Sequence, residues 1–328
     1  MSAEPGPCGT ILENHQALSR RRERSQRELD RARTEFAACQ YLQDLPLSVF
    51  CAGSLARAEI GEKSDLDIFV IADSSDRLQS RLCEYTLFAH LIRINNDVLG
   101  FPPFSNDGEY LKINFIEDLK ARTGSRRDDI ENLFTARMLL MLESKPLIHS
   151  ELYNKHLRAI LEHYYRDQKG KVSFKPLFLL NDILRYWRTL CLNYEERRHE
   201  PDRPWRKKNV SLKFSRMLTV FSTVLPLIAK PLDTLSDLEV LCQKTPLERL
   251  SFGLDILSDR DLTNRWTALL DIYEAFLGWK DDDNVEKYLE GGEQKATVRR
   301  YAGELSTFLF NALTHDRIPF EFRRYLIL

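Results

Sequence analysis

The stretch Leu47-Ser48-Val49-Phe50-Cys51-Ala52-Gly53-Ser54-Leu55-Ala56-Arg57-Ala58-Glu59, followed by Ser64-Asp65-Leu66-Asp67-Ile68-Phe69-Val70, decides how this chain is read. A short apolar run ends in a glycine-serine turn, and a second apolar run opens with two aspartates. Residues 47–51 and 66–72 read as strands. In a strand, side chains two apart point to one face, roughly 6.5–7 Å apart along the chain. That spacing predicts Asp65 and Asp67 on one face beside the turn. Two carboxylates next to the amides of a glycine turn suit a divalent metal and a phosphate, so the stretch predicts phosphoryl chemistry. Plainer roles exist: Gly53 can simply make a turn, Ser54 can cap a helix and Asp65 can be a loop acid. Asp67 is harder to place that way. A carboxylate between Leu66 and Ile68, just before Phe69-Val70-Ile71, is costly unless paired or metal-bound.

Upstream, residues 10–43 read as a helix with a thin stripe of Ile11, Leu18, Leu29, Ala32 and Phe36. Its arginines from Arg20 to Arg33 alternate with Glu23, Glu28 and Asp30. Such a face is either solvated and laced with i,i+4 pairs or a contact for a partner or RNA. Pro46 ends that pattern. Residues 55–60 form a helical turn or two, 61–64 a polar loop and 77–92 a helix. The breaker-rich segment 95–108 reads as a long loop, a place where function often lies. Residues 110–116 alternate as a third strand that buries Leu111, Ile113 and Phe115 and turns Tyr110, Lys112 and Asn114 to the other side. From about Asp128 the helical period dominates, with helices expected at 128–142, 151–167, 175–197, 209–229, 236–243, 246–256, 261–278, 284–290 and 293–314. The predicted class is α+β, a small mixed sheet followed by an all-helical domain. The domains expected are an N-terminal helical extension at 1–43, a sheet-bearing core at 44–127 and a helical domain at 128–328.

Composition limits the alternatives. The chain has 328 residues and a formal net charge of −1, so any polyanion site must be a local patch. The six cysteines are scattered without a CxxC pair, which argues against a zinc site or disulfide framework and for reduced thiols in a cytosol. The apolar run from Leu218 to Ala229 is short for a membrane span and carries Pro226, and the N-terminus has no apolar signal core. A soluble cytoplasmic protein with no membrane partner is the expectation. The seven histidines show no ligand spacing, and no nucleophile elbow, Walker loop or dinucleotide-binding glycine cluster is present.

The string Gly53-Ser54-x-Ala56-Arg57-x-Glu59, followed by Ser64-Asp65-x-Asp67 inside an apolar strand, resembles the DNA polymerase β-like nucleotidyltransferase superfamily. It looks most like the bacterial branch that holds stand-alone enzymes and the PII-uridylyltransferase type. The motifs cover about residues 45–118. The resemblance implies a nucleotidyltransferase core whose Asp65 and Asp67 hold Mg²⁺ or Mn²⁺, whose Gly53 admits a nucleoside triphosphate, and whose Ser54 bonds the phosphate tail. It implies transfer of a nucleoside monophosphate to a hydroxyl on RNA, a protein or a small molecule, with release of pyrophosphate. It also implies a helical domain closing the nucleotide cleft with cations, for which Arg185, Arg188, Lys208 and Lys213 are candidates beside the nearer Arg57 and Lys112. The superfamily has a third acid on a later strand. The strand at 110–116 has none on the face opposite its buried side, and Glu109 by proximity is the candidate. The alternative is a degenerate relative that binds nucleotide as a sensor or regulator without transfer.

Overall fold

Strand β1 (Leu47–Ala52) is buried at all six positions, which is why it reads as a continuous apolar run rather than an alternating one. The computed structural model describes residues 5–74, 76–104, 108, 111–168, 174–198, 205–230, 234–282 and 284–327. In it β1 is the second strand from one edge of a four-stranded mixed sheet, joined by β2 (Asp67–Ala72), β3 (Ile113–Phe115) and β4 (Lys145–Ile148) in the order β3-β2-β1-β4. β1 runs antiparallel to β2 and β4, and β2 runs parallel to β3. The class is α+β, as expected.

The register of β1 on β2 sorts the side chains. Leu47, Val49 and Cys51 pair with Ala72, Val70 and Ile68, and all six join a core cluster with Phe36, Leu87 and Leu91 from flanking helices. Ser48, Phe50 and Ala52 pair with Ile71, Phe69 and Asp67 on the opposite face. The rings of Phe50 and Phe69 stack there at 5.4 Å, and Tyr153 of the helix Ser150–Tyr164 tilts over Phe50 at 6.0 Å. Asp67 is therefore at one end of this second face, in the last rung beside Ala52.

The chain divides into two compact units. One comprises Arg21–Lys169 with Thr234–Thr245, and the other comprises Met1–Arg20, Gly170–Asp233 and Pro246–Leu328. This differs from the expected boundary at 127/128. β4 pairs with β1, and Arg137 and Asp128, both fully buried, form a bidentate pair at 2.9 and 2.8 Å. Arg137 also donates to the hydroxyl of Tyr164 at 2.9 Å. Arg137 donates as well to the Leu119 carbonyl at 3.0 Å, and this bond and the β1–β4 ladder hold residues 128–164 to the sheet unit. β4 is only four residues long, Lys145 to Ile148, and too short to show a period.

Other elements differ locally. The expected helix at 10–43 is three helices, Pro7–Asn14, Gln16–Ala38 and Gln40–Gln43, interrupted where His15 and Cys39 adopt extended backbone. The expected loop at 95–108 begins as a π-helical turn, Ile94–Leu99, stopped by Gly100 in the left-handed region at φ +69°. The third strand is shorter than expected, Ile113–Phe115, but its phase holds: Ile113 and Phe115 pair with Val70 and Ala72 and pack on the core cluster, while Asn114 lies on the opposite face and is buried there.

The second unit is helical. Its helices Leu177–Arg198, Met217–Ala229, Pro246–Leu257, Arg260–Asp281 and Gly292–Leu313 follow the expected periods closely. A Cβ on Gly253 would meet Cδ2 of Leu225 at 2.7 Å, so that glycine lets two helices approach. The stretch Trp205–Ala229 is a run of 25 residues, long and apolar enough by composition to cross a membrane, unlike the shorter span expected. Its apolar window is 72% buried within the protein, so packing already uses that surface. A short helix, Phe320–Tyr325, was not foreseen.

Candidate functional site

β1 ends where the chain must reverse to form β2, and Gly53 makes the corner. Its φ is +72°, the left-handed region that glycine enters without steric cost. A Cβ at this position would overlap Oδ2 of Asp67, so the absent side chain also leaves room for the carboxylate. The turn continues as a single helical turn, Gly53–Ala56, too short for a useful helix dipole. It is closed by hydrogen bonds from the Arg57 amide to the Gly53 carbonyl at 3.1 Å and from the Glu59 amide to the Ser54 carbonyl at 2.8 Å.

The hydroxyl of Ser54, a residue only 7% exposed, makes no hydrogen bond to a described residue. Asp67 is half-buried in the first position of β2. Asp65 is exposed and lies in the loop before β2, so it does not share a strand face with Asp67 as the spacing predicted. Polar residues 61–65 keep the chain irregular until Asp67 pairs with Ala52. Among the described residues, Asp65 forms no ion pair.

Arg57 is not an exposed cation at this corner. It is 5% exposed, its Nε donates to Glu59 at 2.8 Å, and a second nitrogen pairs with Glu143, itself 3% exposed. One guanidinium between two buried carboxylates is a structural pin, because the fork of donors can satisfy both acids at once. Lys112 donates to the backbone carbonyl of Glu131, and burial lowers its pKa.

The third acid is not found on β3. Asn114 pairs with Ile71 and so shares the face of Asp67; its side-chain amide donates to the Val70 carbonyl at 3.1 Å, while its Oδ1 is buried without a partner among the described residues. Among the described residues no third histidine, cysteine or carboxylate joins Asp65 and Asp67 in one ligand cluster. Glu109 lies outside the described residues.

The remaining candidates, Arg185, Arg188, Lys208 and Lys213, belong to the helical unit. Arg185 pairs with Asp182 one turn earlier at 3.7 Å, Arg188 and Lys208 are exposed, and Lys213 lines a cavity of that unit. Trp187 is half-buried, edge-on to Phe221 at 5.4 Å.

Two further polar groupings were not anticipated. At the other end of the Asp67 face, Ser48 Oγ meets His156 Nδ1 at 3.0 Å, and His156 Nε2 lies 3.4 Å from Asp73. The residue types are those of a nucleophile relay, but Ser48 is fully buried and His156 is 1% exposed, so no substrate reaches the hydroxyl. Burial depresses the His156 pKa against the opposing pull of Asp73. In the helical unit, His15 Nε2 lies 3.1 Å from Asp271 and 4.0 Å from Glu274. His15 Nδ1 accepts the Leu18 amide at 3.5 Å, which puts the ring proton on Nε2, toward the acids. In that tautomer the ring donates to the carboxylates; the three groups also lie close enough to offer one ligand atom each to a metal ion, an arrangement common among exposed acids without one. No family model matches the chain, and no curated protein matches its sequence.

Proposed function

We propose that the sheet unit is a nucleotidyltransferase core that binds a Mg²⁺- or Mn²⁺-complexed nucleoside triphosphate at Gly53, Ser54, Asp65 and Asp67. In this reading the nucleoside monophosphate passes to a hydroxyl acceptor. The bond from the α-phosphorus to pyrophosphate breaks as the acceptor oxygen bonds to that phosphorus, and the acceptor's proton leaves to a base. The carrying observation is the corner itself: a left-handed Gly53 whose missing Cβ leaves room for the Asp67 carboxylate, beside a Ser54 hydroxyl with no partner among the described residues.

The donor set fits a hard divalent cation, since carboxylate and hydroxyl oxygens are the ligands such ions prefer. Asp65 and Asp67 would hold it. When bound, the ion supplies positive charge to the phosphate oxygens and the leaving group. The chain's own part is to place the phosphate tail: Gly53 lets the backbone approach it, Ser54 donates to it, and the Arg57 triad keeps the corner rigid from behind. Six cysteines without a disulfide fit a reducing, cytoplasmic setting.

A second reading, nucleotide binding without transfer, is favoured by Asn114, an amide on the strand where the superfamily has its third acid. One experiment separates the two. The protein and its Asp65→Ala/Asp67→Ala variant are incubated with each α-labelled nucleoside triphosphate, Mg²⁺ or Mn²⁺, and a cell extract as acceptor source. Label transferred by the wild type and lost in the variant supports the transferase. Metal-dependent binding with no transfer supports the second reading, and a wild type that binds no nucleotide sinks both.

A further inference from the structure

The helical unit contains a cavity of 510 Å³ between the helix Leu177–Arg198, the turn Leu212–Arg216 and the helix Gly292–Leu313. That volume suits a small organic ligand. Trp187, Leu212 and Met217 give it an apolar wall, and Trp187 is braced at 64° against Phe221. Two cations, Lys213 and Arg299, also line it, and neither has an acidic partner among the described residues. The carboxylate among the lining residues, Glu195, is engaged by Arg198 at 3.5 Å.

The other titratable lining groups do not compete with an anion. Burial and the neighbouring Glu195 raise the pKa of the Cys191 thiol, and burial raises that of the Tyr194 hydroxyl, so both are neutral at pH 7. Gly303 adds an independent observation. It lies inside a helix, where glycine is a poor choice, yet a Cβ there would meet nothing within 4 Å. No packing contact requires the glycine, and a larger side chain would enter the cavity.

We propose that this cavity is a binding site for a planar aromatic molecule carrying one carboxylate or phosphate group. The ring lies along the Trp187 wall and the anionic group is met by Lys213 and Arg299. The combination is specific in kind: an aromatic wall rewards a flat ring, and two unpaired cations beside an apolar surface reward a charge at its edge.

The test titrates the full chain with 1-naphthoate, 1-naphthyl phosphate and the neutral 1-naphthalenemethanol by isothermal calorimetry. Saturable binding of an anion at one site per chain, at least tenfold tighter than the neutral analogue, is expected. Which of the two anions binds more tightly distinguishes a carboxylate ligand from a phosphate one. The Lys213→Met/Arg299→Met variant, altered only at exposed side chains, is expected to lose the preference for charge. Gly303→Leu is expected to weaken all three ligands at least tenfold. The Asp65→Ala/Asp67→Ala variant is expected to bind the anions as the wild type does, so failure of the nucleotidyltransferase reading leaves this site untouched. Equal affinity for anion and neutral analogue, wild-type binding by either cavity variant, or no saturable binding of either anion overturns the proposal.

Discussion

One face of the sheet carries two polar groupings at its two ends, and they differ in how far a ligand could reach them. At one end Ser48, His156 and Asp73 are linked to one another, Ser48 and His156 being buried beneath the helix Ser150–Tyr164. At the other end Gly53 opens the backbone, the Ser54 hydroxyl has no partner, and Asp65 is exposed and unpaired among the described residues. The Phe50–Phe69 stack lies between them. Residue type alone would favour the first end, since serine, histidine and aspartate are a familiar catalytic set. Access favours the second, where Asp65 is exposed. A buried grouping that no ligand can reach belongs to the core, whereas a ligand site needs accessible groups with bonds left to make.

The largest effect that would test this contrast is at Arg57. Arg57→Ala removes the guanidinium that bonds the buried Glu59 and Glu143, and a loss of about 3–5 kcal/mol is expected in urea denaturation. Nucleotide binding lost with stability intact would instead make Arg57 a ligand contact. Next is Gly53→Ala, which forces a Cβ into the left-handed region and against Asp67. The backbone term alone is about 1–2 kcal/mol, and metal-dependent nucleotide affinity is expected to fall at least tenfold. Unchanged affinity in that variant would remove the corner from the site.

A pH series probes the closed end. The folded His156 pKa is depressed, so above the unfolded value of ~6.5 the ring is neutral in both states. As pH falls below that value only the unfolded chain takes up the proton, and stability declines between pH 7 and 5. The His156→Leu/Ser48→Ala variant is expected to flatten that decline in the melting temperature. Asp73 acts in a separate window: its pKa is lowered, chiefly by Lys155, so its contribution persists until pH falls below ~4. A decline of equal slope in wild type and variant would show that His156 does not titrate as its burial dictates. The smallest effect is at Ser48 alone. Ser48→Ala is expected to cost about 1 kcal/mol and to leave nucleotide binding unchanged.

Much of this was legible in the chain. The helical periods after residue 175 located the helices of the second unit to within a few residues, because each long amphipathic segment buries one stripe. The paired strands at 47–52 and 67–72 were legible because both are short apolar runs flanked by turn residues. The placement of Gly53 beside Asp67 follows from that pairing, since adjacent antiparallel strands bring the end of one to the start of the next. β4 was hidden by its length, and with it the inclusion of residues 128–169 in the sheet unit. The phase of the third strand was legible from its alternation, but the burial of Asn114 was not, because it rests on a side-chain bond to a backbone carbonyl, which hydropathy does not register.

The sequence by itself determined the α+β class, the two central strands and the corner where glycine, serine and Asp67 meet, since these depend on local spacing and on what a turn sterically permits. Only the tertiary structure decided which charges are free. Arg57 is committed to Glu143, far along the chain, whereas Lys213 and Arg299 line one cavity from separate elements. The physical reason is that a charge's role is set by its desolvation and its partner, and both are properties of the fold rather than of neighbouring residues.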